Sequence, residues 1–177
     1  MSGAENQSGN RWTLAGRVIP GAVRRAQLRT TLTYRLIPRL QAGIEFNPRS
    51  TEEKANPILN CLAVPETKNT PAVIVGTSSD RIGTPSGQSF YATASKNLRR
   101  ETHLPIAPYF GVAYGTHEDR LRPIGGLNIG FAEWLTSLVV FDGVHIHPML
   151  TYSHKRHVFS FILVRAHIPG VSYSITF

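Results

Sequence analysis

At 177 residues the chain has the length of one domain, and its single cysteine, Cys61, excludes an internal disulfide and any cysteine-rich metal site. Charged residues are few, at 17%, which is low for a protein that must clothe its whole outside for water. The formal charge is nevertheless +8, with seven arginines against one acid, Glu5, in residues 1–40. These arginines are scattered, with no recognition helix or aromatic ribonucleoprotein motif beside them, which argues against nucleic-acid binding. Anionic lipid head groups or a basic pore would absorb the charge equally well.

Met1 to Asn10 is polar and rich in Gly, Ser and Asn, with no apolar leader stretch, and reads as a disordered N-terminal segment (1–10) ahead of a single domain (11–177). Trp12–Val18 reads as a first strand, and Pro20–Gln27 as a helical turn or a loop. The clearest alternation follows: Leu28, Thr30, Leu32, Tyr34 and Leu36 on one face, against Arg29, Thr31, Thr33 and Arg35 on the other. After Ile37-Pro38-Arg39 the pattern restarts as Leu40, Ala42, Ile44 and Phe46 against Gln41, Gly43 and Glu45, which makes a hairpin. Asn47 to Ala55 is a polar loop. Further strands are expected over Pro57–Val64, Pro71–Ser78, Gln88–Asn97, Ile106–Gly115, Pro123–Phe131, Leu135–Phe141, Val144–Ser153, Val158–Ala166 and Val171–Phe177, the last two joined by a turn at Pro169-Gly170. No apolar run approaches the length of about 18 residues that a membrane-crossing helix needs. Gly and Pro also leave few windows long enough for any helix. The pattern predicts an all-β fold of about ten to twelve antiparallel strands, an up-and-down barrel.

Two kinds of barrel share this alternation. A soluble one points its apolar rows inward and its charges outward; a membrane one points apolar rows at lipid and keeps a polar interior. Here the faces opposite the apolar rows are small or polar. Gly126, Asn128 and Gly130 oppose Leu127, Ile129 and Phe131, and Ser172, Ser174 and Thr176 oppose Val171, Tyr173, Ile175 and Phe177. That favours the membrane form, a transmembrane β-barrel. Leu28, Leu32, Tyr34, Ile44, Phe46, Leu127, Ile129, Phe131, Ile162, Val164, Tyr173 and Ile175 are then expected to face lipid. Arg29, Arg35, Glu45, Asn128 and Arg165 are expected to face the lumen, with Glu45 pairing Arg29 and Arg35. Aromatic residues near strand ends, among them Trp12, Tyr34, Phe46, Tyr91, Tyr114, Phe131, Trp134 and Phe141, suit interfacial girdles.

The stretch Gly170-Val171-Ser172-Tyr173-Ser174-Ile175-Thr176-Phe177 resembles the terminal strand of Gram-negative outer-membrane β-barrel proteins: a final Phe with apolar or aromatic residues two, four and six positions before it. The resemblance implies an outer-membrane location, closure of the barrel by this strand, and recognition of Val171, Tyr173, Ile175 and Phe177 by the barrel-assembly machinery. Strong basicity and short loops depart from many members of that class.

Chemistry is sparse. There is no phosphate-cradling G-x-x-x-x-G-K, no Rossmann fingerprint and no G-x-S-x-G elbow, and Gly125-Gly126-Leu127-Asn128-Ile129-Gly130 reads as a strand packed closely on its inner side. No enzyme, cofactor or metal site is expected. His145 and His147 share a strand face near Asp142, with His154 and His157 following, but no spacing fixes a third metal ligand. An acyl-transfer site on Ser137, His145 and Asp142 has no motif behind it. Two readings follow: an outer-membrane barrel serving as a small pore or a structural envelope element, with membrane lipids, the assembly machinery and further copies as partners; or a soluble β-barrel or sandwich that binds a small ligand or self-assembles.

Overall fold

A computed structural model describes residues 11–177; residues 1–10, expected to be disordered, lie outside the described residues. The fold is a closed, antiparallel barrel of twelve strands in which every strand pairs with its neighbours in sequence and β12 returns to β1. The strands are β1 (Trp12–Val18), β2 (Leu28–Ile37), β3 (Leu40–Phe46), β4 (Ala55–Val64), β5 (Ala72–Ser79), β6 (Gln88–Ser95), β7 (Ile106–Gly115), β8 (Arg120–Ala132), β9 (Leu135–Phe141), β10 (Ile146–His154), β11 (His157–Val164) and β12 (Ile168–Thr176). Two single-turn helices, α1 (Arg24–Gln27) and α2 (Arg99–Thr102), complete it.

Register turns the alternation into sidedness. Trp12 pairs with Tyr34, Leu14 with Leu32 and Ile175, and Leu32 with Ile44, an apolar row running round the wall on the outside. Between these, Thr13, Ala15 and Arg17 meet Thr33, Thr31 and Arg29 on the inside. The outside is bare: Phe110 and Leu121 are 67% exposed and Phe131 63%. Bulky aromatics collect near both rims of this outer wall. Trp12, Trp134, Tyr152 and Phe177 ring the end that carries the chain terminus, with Trp12 tilted on Tyr34 at 4.7 Å and Trp134 edge-on to Tyr152 at 5.8 Å. Phe46, Phe90, Tyr114 and Phe141 ring the other.

Two inward positions show why glycine recurs there. A Cβ on Gly126 would lie 2.2 Å from the Val139 carbonyl oxygen and 2.5 Å from the Tyr109 ring. One on Gly76 would lie 2.7 Å from the Tyr91 hydroxyl. Each glycine is a floor on which a neighbouring strand's tyrosine lies flat across the inside of the wall.

Three expectations need correcting. Ile162 and Val164 are buried, not outward; they form a small core with Ile19, while Phe159 and Phe161 take the outside of β11. This strand is apolar on both faces, so alternation alone did not choose between them, and the bulkier aromatic row went out. Tyr91 is not a girdle residue: its hydroxyl is bonded to Asn60 inside the barrel. Pro169-Gly170 is not a turn but lies within β12, Pro169 opposite Leu163 and Gly170 opposite Ile162. The reversal falls at residues 165–167, where Arg165 and Ala166 both adopt left-handed backbone, at φ 53° and 61°, with no glycine to ease it.

Candidate functional site

Twelve strands lie between the roughly eight whose side chains fill a barrel and the roughly sixteen that leave a channel, so something beyond the wall must fill the inside. At the end away from the terminus the connection between β1 and β2 does this. Ile19 and Ala26 in that connection are buried, and Ile19 packs on Ile162 and Val164 with Ala22, Ile82, Met149 and Ile168 around them.

The polar half of this plug centres on Arg25, whose side chain is 2% exposed. Its Nε donates to the Thr84 carbonyl at 3.0 Å, and one Nη donates to the carbonyls of Asp80 and Arg81 at 2.9 and 2.7 Å. A one-turn helix thus clamps the β5–β6 loop by its carbonyl groups. Burial lowers the Arg25 pKa, opposed by the field of Glu45. Glu45, on β3 and fully buried, accepts from Asn47 at 2.8 Å and Ser79 at 2.5 Å through Oε1, and its Oε2 lies 2.8 Å from the Arg29 guanidinium. Arg25 stands 3.9 Å from the same carboxylate.

Across the mouth a second network ties the remaining loops. Glu118, between β7 and β8, accepts from Arg81 of the β5–β6 loop and, at 2.8 Å, from Arg122 of β8. These two guanidinium groups, Arg81 foremost, hold the Glu118 carboxyl down at about 2. A third links the β9–β10 and β11–β12 turns. His147 bonds Asp142 at 3.0 Å through Nε2 and accepts the Arg165 backbone N–H at 3.2 Å through Nδ1. Burial works against the Asp142 charge, but the bond to His147 and the amides of His145 and Val144 outweigh it and bring the pKa to about 2. His145 beside it is pushed down by desolvation and then by Arg165. A cavity of about 180 Å³ lies beneath these networks, lined by Asp80, Arg81, Glu118, Arg122, Asp142, Tyr91 and Tyr109 among others.

The residues singled out from sequence distribute as follows. Arg29 and Glu45 meet, as the hairpin suggested. Arg35 sits at the opposite end of β2, across from Gln41, and makes no ion pair among the described residues; Arg25 takes the place expected for it. Asn128 is on the inward side of β8, opposite Ala107 and Leu138. Arg165 is not in the wall at all but in the β11–β12 turn, exposed over the mouth. No three His, Cys, Asp or Glu side chains converge to hold a metal among the described residues, and His147 has both ring nitrogens engaged. Ser137 donates to the Met149 carbonyl, away from His145 and Asp142, so these three form no nucleophile–base pair. Sequence reading missed Arg25 and the Arg81–Glu118–Arg122 network; the charge density of residues 80–81 and 117–122 was the available signal.

The arrangement is a latch that fastens loops across one mouth of a barrel. No protein-family model and no curated protein matches the chain.

Proposed function

We propose that this protein is an outer-membrane β-barrel with its lumen closed at one end, a structural or interaction element of the envelope and not an open diffusion pore. The observation that carries the reading is the outer wall: apolar rows all round a closed sheet, bounded by two aromatic rings, with the ion pairs of Arg25, Arg29 and Glu45 turned inside. In water such a surface would be a contiguous apolar patch far beyond what a monomer exposes. In a bilayer it is the expected exterior, since only a closed barrel or a helix leaves no backbone group unpaired in hydrocarbon. The Val171, Tyr173, Ile175 and Phe177 pattern supports the same location and recognition by the barrel-assembly machinery. The plugged mouth favours the structural reading over the porin-like one.

Purified protein is expected to need detergent to remain monodisperse and to migrate differently on gels before and after boiling. Monodisperse behaviour in plain buffer would sink the membrane reading and leave a soluble self-assembling barrel. Phe177→Asp is expected to lower the folded, heat-modifiable fraction in cells far more than Ser172→Ala on the inner face. Planar-bilayer recordings should show no steady conductance; a stable open channel would overturn the closed lumen.

A further inference from the structure

Charge inside the barrel does not balance locally. Arg81 and Arg122 share Glu118, and Asp142 has His147, but where the plug meets the wall Arg25 and Arg29 flank one carboxylate, Glu45, and Arg17 stands across the ladder from Arg29. Arg25 is saturated by carbonyl oxygens and Arg29 is ion-paired with Glu45. Arg17 is left. Its side chain makes no hydrogen bond or ion pair among the described residues, and its Nε is a buried donor without a partner. Directly opposite it in the β1–β2 ladder, on the same inward face, stands Arg29. Like charges at directly opposed positions repel, and the half-buried Arg17 guanidinium, its Nε cut off from water, has no counter-charge among the described residues.

We propose that the inner wall here holds a small oxyanion, of the phosphate or sulfate class, between Arg17 and Arg29. Planar guanidinium edges present paired N–H donors that match two oxygens of a tetrahedral oxyanion, which a monatomic ion cannot engage in the same way. Ser172, facing Arg17 from β12, and Thr31, two residues on from Arg29, place hydroxyl groups on the same inner surface. The plug covers this stretch of the inner wall from one mouth and the sheet separates it from the outside, so the ligand is a free ion and not a head group still attached to its lipid. The inference depends on the interior alone and holds whichever solvent bathes the outer wall.

The test is thermal unfolding of the full chain, folded in a non-ionic detergent, followed by circular dichroism at constant ionic strength. Replacing chloride by inorganic phosphate should raise the unfolding temperature saturably, by roughly 5–10 °C at about a hundredfold excess over Kd. Arg17→Met should abolish the response and, in phosphate-free buffer, unfold no lower than wild type, because it removes a repelled charge. Mixed micelles carrying an anionic phospholipid in place of free phosphate should give no shift. The proposal is overturned if wild type does not respond to phosphate, if Arg17→Met responds equally, or if only the phospholipid acts. Should Arg17→Met fail to fold, phosphorus NMR of inorganic phosphate with wild-type protein decides alone: saturable broadening reversed by sulfate supports the site, and unchanged lines refute it.

Discussion

The two ends of this barrel solve different problems with different residues. At the terminus-bearing end the connections at residues 38–39, 133–134 and 155–156 are tight hairpins, and Trp12 and Phe177 exchange backbone hydrogen bonds at 2.9 Å. At the far end the loops lean inward and are fastened by Arg25, Glu45, Glu118, Asp142 and His147. One end is held by aromatic contacts on the outer face and backbone hydrogen bonds, the other by ion pairs within. Stability and closure of the mouth should therefore respond to different perturbations.

The sharpest way to break the far end is Glu45→Ala. It leaves Arg29 without its carboxylate, and loss of one partner from a buried ion pair costs about 3–5 kcal/mol. Urea unfolding in detergent should show that loss; a change below about 1 kcal/mol would mean that the cluster is hydrated and idle.

Acid should act next, and again at the far end only. The Glu118 and Asp142 carboxyls fall from 4.5 and 3.8 to about 2 in the folded state. The unfolded chain therefore takes up more protons than the folded one as the pH falls below about 4.5. Their contribution is complete above that pH and is lost as pH falls through about 2. Amide exchange, corrected for the intrinsic pH dependence, should show residues 80–87, 116–119 and 142–145 losing protection between pH 4 and 2. The hairpins at 38–39 and 133–134 should not change. Uniform loss at both ends would contradict the division.

A smaller effect is expected at the terminus-bearing rim. Trp12→Ala removes the tilted aromatic contact with Tyr34, about 0.5–1.5 kcal/mol by unfolding in detergent, and should leave far-end exchange untouched. Smallest is a preference among lipids. A seven-residue strand such as β1 reaches about 23 Å, or roughly 18 Å when tilted, less than the apolar band of about 25 Å usual for such barrels. Refolding yield should therefore rise modestly in lipids with shorter acyl chains, and a preference for longer chains would argue against the strand lengths as a lipid-facing band.

Much of this was legible in the residues, and the failures have physical causes. Alternation over Leu28–Leu36 and Leu40–Phe46 located the first hairpin and brought Glu45 towards Arg29, because register is set by the short turn between them. Alternation was mute where both faces are apolar, as over Val158–Val164, and there burial against Ile19 decided. The Pro-Gly pair at 169–170 carried a turn signal, yet both fit the strand because Gly170 must pass under Ile19, to which a Cβ would come within 2.6 Å. The candidate site was half legible. His147 and Asp142 stood out as a local pair, but Arg25 acts 55 to 59 residues from its partners, through carbonyl groups that no side-chain pattern reveals.

The seam between β1 and β12 has a kinetic consequence. Eleven of the twelve junctions join strands adjacent in sequence, whereas this one brings Thr13 against Thr176, 163 residues away. Among the strand pairings, sequence separation is thus short everywhere except at a single step. The chain should build quickly into a curled sheet and then wait on one circularisation, its two free edges open to any strand of matching pattern in the interval. A helper that shields those edges would speed maturation without touching a single hairpin, and crowding by other unfinished copies would divert the sheet into edge-joined chains.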